Sequence, residues 1–443
     1  TINLSGTKVA GMVTGGSAGK EGNILAIHAS GTKVHDFTNI QRLRFHLPDN
    51  VSAAMPAMLT LGVQNKDIRG MNVDLYIPGS ANALSPNDTI HLMKVADGGT
   101  LTTDDKILGE ITAKQGASLN YKFHVEKKDT DKLVASVIQK KLNEATKSVT
   151  ETRVAAMDFV NSGTNLMADA GITAALAAGM QQGNDNYTTW AAQGGTNMRV
   201  HSGSYVDTRG YVMNVGFVRK NDSVIFGPFV AYGRGTYDSY LDDGTHGSGK
   251  TSYIGAGIFG RMAMQNNVYI EGSLQGGRIK SDYTGNISGT VTGYDSSNPY
   301  YAGHIGVGKR VKLMMGTSIE GYLKYFYAHQ NGMRTRLSTG EEYDFAAMDS
   351  HRLRLGARYT RSVDGVGEVY AGLAWEYEFS GAAWASYQGY NTPSPSLKGG
   401  SALVEFGYRF APKKSRVSWD INAGGWQGKR QGLTGSIGIN WAF

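Results

Sequence analysis

The chain has 443 residues, enough for more than one domain, a formal net charge of +7 and no cysteine. Without Cys, disulfide frameworks and thiol chemistry are excluded, and Lys and Arg dispersed among acids argue against a nucleic-acid surface while suiting anionic lipid heads. The mean hydropathy of −0.31 reads as soluble, yet a membrane β-barrel turns only every second residue to lipid and keeps bulk hydropathy low.

The opening TINLSG lacks the basic start and apolar core of a signal peptide, so the expectation is a removed leader or a C-terminal piece of something longer. Over 1–50, SGTKV occurs twice, at 5–9 and 30–34, a spacing of 25 within the range of solenoid repeats. Short β runs at 23–28 and 43–47 alternate with Gly-rich turns such as MVTGGSAGKEG, which predicts the last rungs of a parallel β-helix. Residues 51–130 continue in short strands (LTLGV, MNVDLYIPG, DTIHLMKV, SLNYKFHVEKK), expected to form a module capping the open end of the solenoid.

The pattern then changes: 131–160 has no Gly or Pro and is rich in helix formers, predicting a helix of ~30 residues, ~45 Å long. Its charges cannot face lipid, so Lys140, Lys141, Glu144, Lys147, Glu151, Arg153 and Asp158 are expected to meet a polar lumen. A small-residue helix follows at 166–180, and 131–186 together is assigned as the linker through a pore.

From 187 onward, twelve stretches of spanning length are predicted, at 188–200, 208–219, 224–237, 250–264, 267–281, 300–312, 317–330, 350–361, 367–379, 398–410, 417–427 and 432–443. Tight turns (RKNDS, MQNN, SVDGVG, APKKSR) alternate with long loops (DSYLDDGTHGSGK, TGNISGTVTGYDSSNP, NGMRTRLSTGEEYDFAAM, GAAWASYQGYNTPSP), as in an outer-membrane barrel. The faces agree. Val369, Leu373 and Trp375 share one side of their strand and Glu368, Glu376 and Glu378 the other, while Arg352, Arg354 and Arg358 oppose Leu353 and Leu355. A charge on lipid costs ~2–4 kcal/mol at the midplane, so these six are expected to face the lumen. In the final stretch, Leu433, Ile437, Ile439, Trp441 and Phe443 form the greasy face. The fold class is therefore all-β: a twelve-stranded transmembrane antiparallel barrel with an α-helix in its lumen, preceded by the end of a parallel β-helix.

WAAQGGTNMRV, DTRGYVMNVGFVRK, GPFVAYGRGTYD, AWEYEFSGAA and WDINAGGWQGKRQGLTGSIGINWAF resemble the translocator domain of the monomeric autotransporters of type V secretion in Gram-negative bacteria. The resemblance covers 187–443. It implies an outer-membrane translocator that exports and displays its own N-terminal passenger. It further implies a C-terminal assembly signal in Leu433, Ile437, Ile439, Trp441 and Phe443, read by the β-barrel assembly machinery. The partners expected with it are outer-membrane lipid and lipopolysaccharide, periplasmic chaperones, and a host or cell-surface receptor for the passenger. A monomer without cofactor, metal, nucleic acid or enzyme activity is expected. Some members cut themselves at two adjacent Asn in the linker; here Asn143, Asn161 and Asn165 stand singly. The alternatives are a surface adhesin held on a retained stem and a surface hydrolase.

Three motifs carry less than they suggest. GGSAG matches G-x-S-x-G, but no helix pattern follows Ser17 to form the elbow that motif needs. GHIGVGKR nearly matches a phosphate loop, yet Arg310 stands where Ser or Thr binds magnesium, and the stretch lies in a strand. His28, His35 and His46 lack metal-ligand spacing.

Overall fold

The computed structural model describes residues 1–17, 22–182, 187–313, 316–363, 367–410 and 417–441. The first 142 residues form a parallel coil closed by an antiparallel hairpin. One face of the coil stacks Ile2–Leu4, Ile24–Ile27, Arg42–His46 and Asn72–Tyr76 in parallel. A second face stacks Lys8–Thr14, Thr32–Thr38, Leu59–Leu61 and Thr89–Lys94. The repeated SGTKV lies in direct register, Lys8 against Lys33 and Val9 against Val34, so one repeat is one coil. Inward residues such as Leu25, Leu43 and Phe45 make a continuous core.

Parallel stacking does not end near residue 50: it continues to Thr89–Lys94 and to the pair Asn65–Asp67 with Thr100–Thr102. The cap begins after that, with Gly109–Gln115, Leu119–Lys128 and Lys132–Leu142 adding antiparallel strands to the edge of the second face. Covering an open solenoid edge in this way removes a template for aggregation.

The last of these strands corrects the sequence reading, which placed a helix from 131. Lys132–Leu142 is paired on both sides and buries Leu133, Val134, Ala135 and Val137. Its β-branched residues fit a pleated sheet, and two flanking ladders outweigh the helix propensity of its Lys and Gln. Lys140 and Lys141 are therefore not pore residues; the Lys140 ammonium lies 5.9 Å over the ring of Tyr121. Asn143 starts the helical segment, its side chain accepting from Ala145 N at 3.1 Å. Glu144 follows in a single 3-10 turn, and α1 runs Lys147–Leu166, continuing through a π turn, Met167–Gly171, into α2, Ile172–Gln182.

Twelve antiparallel strands then close on themselves. They are Tyr187–His201, Tyr205–Asn221, Val224–Tyr240, His246–Ala263, Val268–Ile287, Thr290–Lys312, Thr317–Gln330, Met348–Val363, Gly367–Glu378, Gly399–Phe410, Val417–Gly428 and Arg430–Trp441. The first pairs with the twelfth from Thr189 against Trp441 to Val200 against Arg430, leaving no edge. Lipid-facing side chains alternate with lumen-facing ones: Leu355, Leu373 and Leu433 are 63, 67 and 68 % exposed, while Arg354 and Glu376 are buried.

Two of the expected long loops are strand instead. The fifth and sixth strands run 20 and 23 residues and meet in a two-residue turn at Ser288 and Gly289, both with positive φ as that hairpin requires. The third and fourth strands likewise extend to Tyr240 and from His246. The other two long loops build a small sheet of Met333–Arg336, Glu342–Phe345, Ala385–Tyr387 and Tyr390–Asn391 above the barrel rim.

Candidate functional site

The candidate site is the barrel lumen, which α1, the π turn and α2 fill along its length. Small residues let the helix in. A Cβ on Gly163 would overlap the hydroxyl of Tyr253, and one on Gly210 or Gly235 of the wall would overlap Phe159. Around these contacts, polar groups fasten the helix at successive heights. Near the rim, Tyr283 donates to Ser148 Oγ at 2.8 Å and Tyr294 to the Val149 carbonyl at 2.8 Å. Glu151 accepts from Ser202 at 2.7 Å and Ser204 at 2.6 Å. Arg153 donates to the carbonyls of Gln330, Asn331 and Ala346 at 2.9–3.2 Å, capping the inner rim of one long loop.

Deeper in, the helix supplies acids and the wall supplies bases. Asp158 pairs with Arg430 at 3.0 Å and accepts from Thr208 at 2.9 Å. Asn165 accepts from Arg352 at 2.9 Å. Asp169, in the π turn, meets Lys324 and Arg354, both at 3.0 Å. The bases are in turn held by wall acids: Arg352 and Arg354 by Glu376 at 3.2 and 2.8 Å, Lys324 by Glu271 at 3.0 Å, and Arg358 by Glu405 at 2.9 Å. Buried ions in such a network are each compensated, the condition for tolerating them at all. Glu378 accepts from His351 N at 2.7 Å, and Glu368 lies at the turn end of the barrel, paired with Arg409 at 3.0 Å and partly exposed. At the same end Asn440 donates to Gln181 at 2.7 Å.

Beside the helix lies a cavity of about 80 Å³, where Asp169, Arg358, Tyr370, Glu405 and Arg430 meet Leu166, Val212 and Leu403. That is room for a few waters, not for a second chain. Sequence reasoning missed Lys324, Glu271, Glu405, Asp420 and Arg430, although the alternation that pointed to Arg352 applies equally to YLKYF, YIEGS, LVEFG and SWDIN.

The remaining residues singled out in the sequence fall elsewhere. Lys147 is the first residue of α1, at the rim. Leu433, Ile439 and Trp441 point outward from the last strand with Ile437 on the same side; Phe443 lies outside the described residues. Ser17 sits in a bend after Lys8–Thr14, with Ala18 and Gly19 of its motif outside the described residues. GHIGVGKR lies inside the sixth barrel strand, and Arg310 pairs with Glu320 at 2.8 Å. His28 and His46 stack ring on ring at 4.1 Å on the solenoid surface, and no cluster of three or more metal-ligating side chains occurs among the described residues.

The lumen opens toward the solenoid, and the loop sheet grips it. Glu341, fully buried, accepts from Ala117 N at 2.6 Å and Ser118 Oγ at 2.9 Å, and a Cβ on Gly79 or Gly116 would overlap its carboxylate. Tyr343 donates to Ser118 Oγ at 2.7 Å and Tyr387 to the Gly79 carbonyl at 2.6 Å. Asn143 donates to Ser288 Oγ at 3.1 Å, so the helix leaves the pore beside the tall fifth and sixth strands.

The autotransporter β-domain family model matches residues 189–424, more than half of the chain. No curated protein matches the chain in sequence. Among solved structures, the translocator domain of the autotransporter NalP from Neisseria meningitidis is similar at 15% identity and a TM-score of 0.50, over 68% of this chain and 100% of that one. The transport unit of AIDA-I from Escherichia coli matches at 12% identity and 0.47, over 62% and 98%. The β domain of the Bordetella autotransporter BrkA matches at 17% and 0.46, over 58% and 100%. The barrel is thus an outer-membrane transport unit rather than an enzyme, and the chain belongs to the autotransporter β-domain family.

Proposed function

We propose that the barrel exports the segment that precedes it as an unfolded chain, and that the solenoid of residues 1–142 is the end of that passenger, folded after passage. The observation that carries this is the single thread. The helical segment enters beside the short turns at Gln181, leaves at Asn143, and joins a folded unit of two stacked β faces and a three-stranded cap. An α-helix with its side chains is ~10–12 Å across, which is all this lumen holds. The solenoid and its cap cannot have crossed as they stand.

No nucleotide is available at an outer membrane, so folding outside supplies the bias. Each folded residue contributes only ~0.05–0.15 kcal/mol net, which makes a long solenoid the effective engine. The region 51–130 acts in this scheme as an autochaperone: it leaves the pore early, and the loop sheet around Glu341 receives it. The barrel assembly machinery, reading Leu433, Ile437, Ile439, Trp441 and Phe443, periplasmic chaperones, and outer-membrane lipid and lipopolysaccharide are its partners, and the chain works as a monomer. With Asn143, Asn161 and Asn165 standing singly, the passenger stays attached.

The test uses Thr89 and Ser136, directly opposite in adjacent antiparallel strands with hydroxyls 3.0 Å apart. T89C/S136C closes a loop of almost fifty residues once oxidised. A bridge formed in the periplasm puts more than one strand in the pore abreast, so display should stall and return with reductant, while either single Cys variant is displayed normally. Full display with the bridge formed before export would refute threading of an unfolded chain. Deletion of 51–130 separates the second part: unchanged passenger display would remove the autochaperone role.

A further inference from the structure

Outside the lumen, one sector of the barrel surface carries charge that neither the plug nor the passenger uses. Arg209, Arg234, Lys250, Arg278 and Lys280 all point outward and are exposed, on the second to fifth strands. Their register makes them neighbours: Tyr211, Arg234, Ser252, Lys280 and Ser297 form one continuous cross-strand row. Arg209 joins Lys250 through Thr236, and Arg278 lies opposite Ile254. Arg234 and Lys280 are thus two strand spacings, about 10 Å, apart.

The height of this cluster is set by what lies below it. Toward the short turns the same strands expose Val230, Ile258 and Leu274 to hydrocarbon, and Tyr211 and Tyr232, with rings 5.9 Å apart, mark the edge of that band. The basic side chains follow immediately on the passenger side. Nearby charges are otherwise spoken for, Arg199 by Asp207 at 2.7 Å and His246 by Asp238 at 3.1 Å. No ion pair among the described residues involves the five. Asp282 and Asp295 close the upper side of the groove that Arg234, Lys250 and Lys280 line. At the corresponding end of the seventh to ninth strands the outward residues are Tyr327, His329, Asp349, His351 and Tyr377, with no Lys or Arg.

We infer that this sector is a binding site for a phosphorylated saccharolipid headgroup of the outer leaflet, a disaccharide with a phosphate at each end, held by Arg234 and Lys280 and supported by Arg209, Lys250 and Arg278. The inference rests on the outer-membrane placement of the barrel. Several unpaired cations one girdle above the acyl zone meet anionic headgroups where local dielectric and crowding make charge complementarity effective.

The full chain in detergent micelles, titrated with bis-phosphorylated lipid A, tests this. R234S/K250S/K280S is expected to bind at least tenfold more weakly than the parent, and K309S/K312S, at the opposite end of the sixth strand, like the parent. The parent should lose a similar factor toward fully dephosphorylated lipid A, and inorganic phosphate at equal concentration should not compete. A triple variant that binds as tightly as the parent overturns the site. Equal binding of dephosphorylated lipid overturns it as well, and that arm needs no variant to fold. Competition by inorganic phosphate would reduce the patch to a general anion surface. Heat-modifiable gel migration of the parent scores the barrel separately: its absence would break the membrane placement, whereas its presence with unchanged lipid binding would break only this site.

Discussion

Removing the two acids by which the helix pairs with cations of the wall, Asp158→Asn with Asp169→Asn, should loosen the plug without unmaking the barrel. Asp158 is buried and pairs with Arg430 at 3.0 Å, and Asp169 pairs with Lys324 and Arg354 at 3.0 Å each. Breaking a buried pair by deleting one partner costs ~3–5 kcal/mol when the survivor is left alone. Here the survivors are not alone: Lys324 keeps Glu271 at 3.0 Å and Arg354 keeps Glu376 at 2.8 Å, and Asp169 is itself 29% exposed at its side chain. Discounting for those partners and for screening leaves ~1–2 kcal/mol per site, or ~2–4 kcal/mol for both, of helix–wall attachment. At 1.4 kcal/mol per decade, the fraction of time the helix is displaced rises roughly 30- to 1,000-fold. Single-channel recording in planar bilayers reads this directly as more frequent openings in the double variant. Glu376→Gln is the control, because it disturbs wall pairing without touching a helix charge and should open the pore far less. Equal opening in the two variants, or none in the double, would refute the view that helix acids set the plug.

Gly163→Ala places a methyl against the Tyr253 hydroxyl, and overpacking of this kind costs ~1–3 kcal/mol. The temperature at which the barrel loses its compact gel migration should fall, with partial recovery in G163A/Y253F. Leu373→Arg, at an outward position 67% exposed, should cost ~2–4 kcal/mol in lipid, measured by denaturant unfolding from vesicles. The solenoid should weaken in acid. Burial first, then the neighbouring His28 and Arg44, hold His46 below the usual imidazole range, and burial with Lys128 and Lys132 does the same for His91. The unfolded chain therefore binds more protons below about pH 6.5, so stability present above that pH declines as pH falls through it. Protease resistance of the solenoid at pH 7.5 and 5.5 checks this, and H46Q/H91Q should flatten the difference.

The barrel was legible because a closed membrane sheet ties each residue's face to its parity. Arg352 and Glu376 could be placed inward, and Leu355 and Trp375 outward, from alternation alone, since a charge on lipid costs too much to be an accident. Lumen partners were legible only as types. That Arg430 meets Asp158 depends on barrel shear and helix rotation, which no local pattern carries. The π turn was invisible for a related reason: MADAG reads as ordinary helix, and the extra residue per turn pays off only where it swings Asp169 toward Lys324 and Arg354.

The helix boundary failed in a more instructive way. In 131–142 the residues Leu, Val, Ala, Ser, Val and Ile suit either a helix or a strand, and periodicity over so short a run does not arbitrate. What decides it is the neighbour: Leu119–Lys128 and Thr89–Lys94 offer ladders on both sides, long-range contacts that no local pattern carries. Asn143 then becomes the switch, capping the first helical turn while its amide donates to the Ala117 carbonyl at 3.1 Å and to Ser288 Oγ at 3.1 Å. One side chain thus joins the end of the solenoid cap, the start of the pore helix and the tallest hairpin of the barrel. A helix register set at that point fixes where Asp158 and Asp169 fall against the wall, so the rim contact and the lumen ion pairs are two ends of a single constraint along α1.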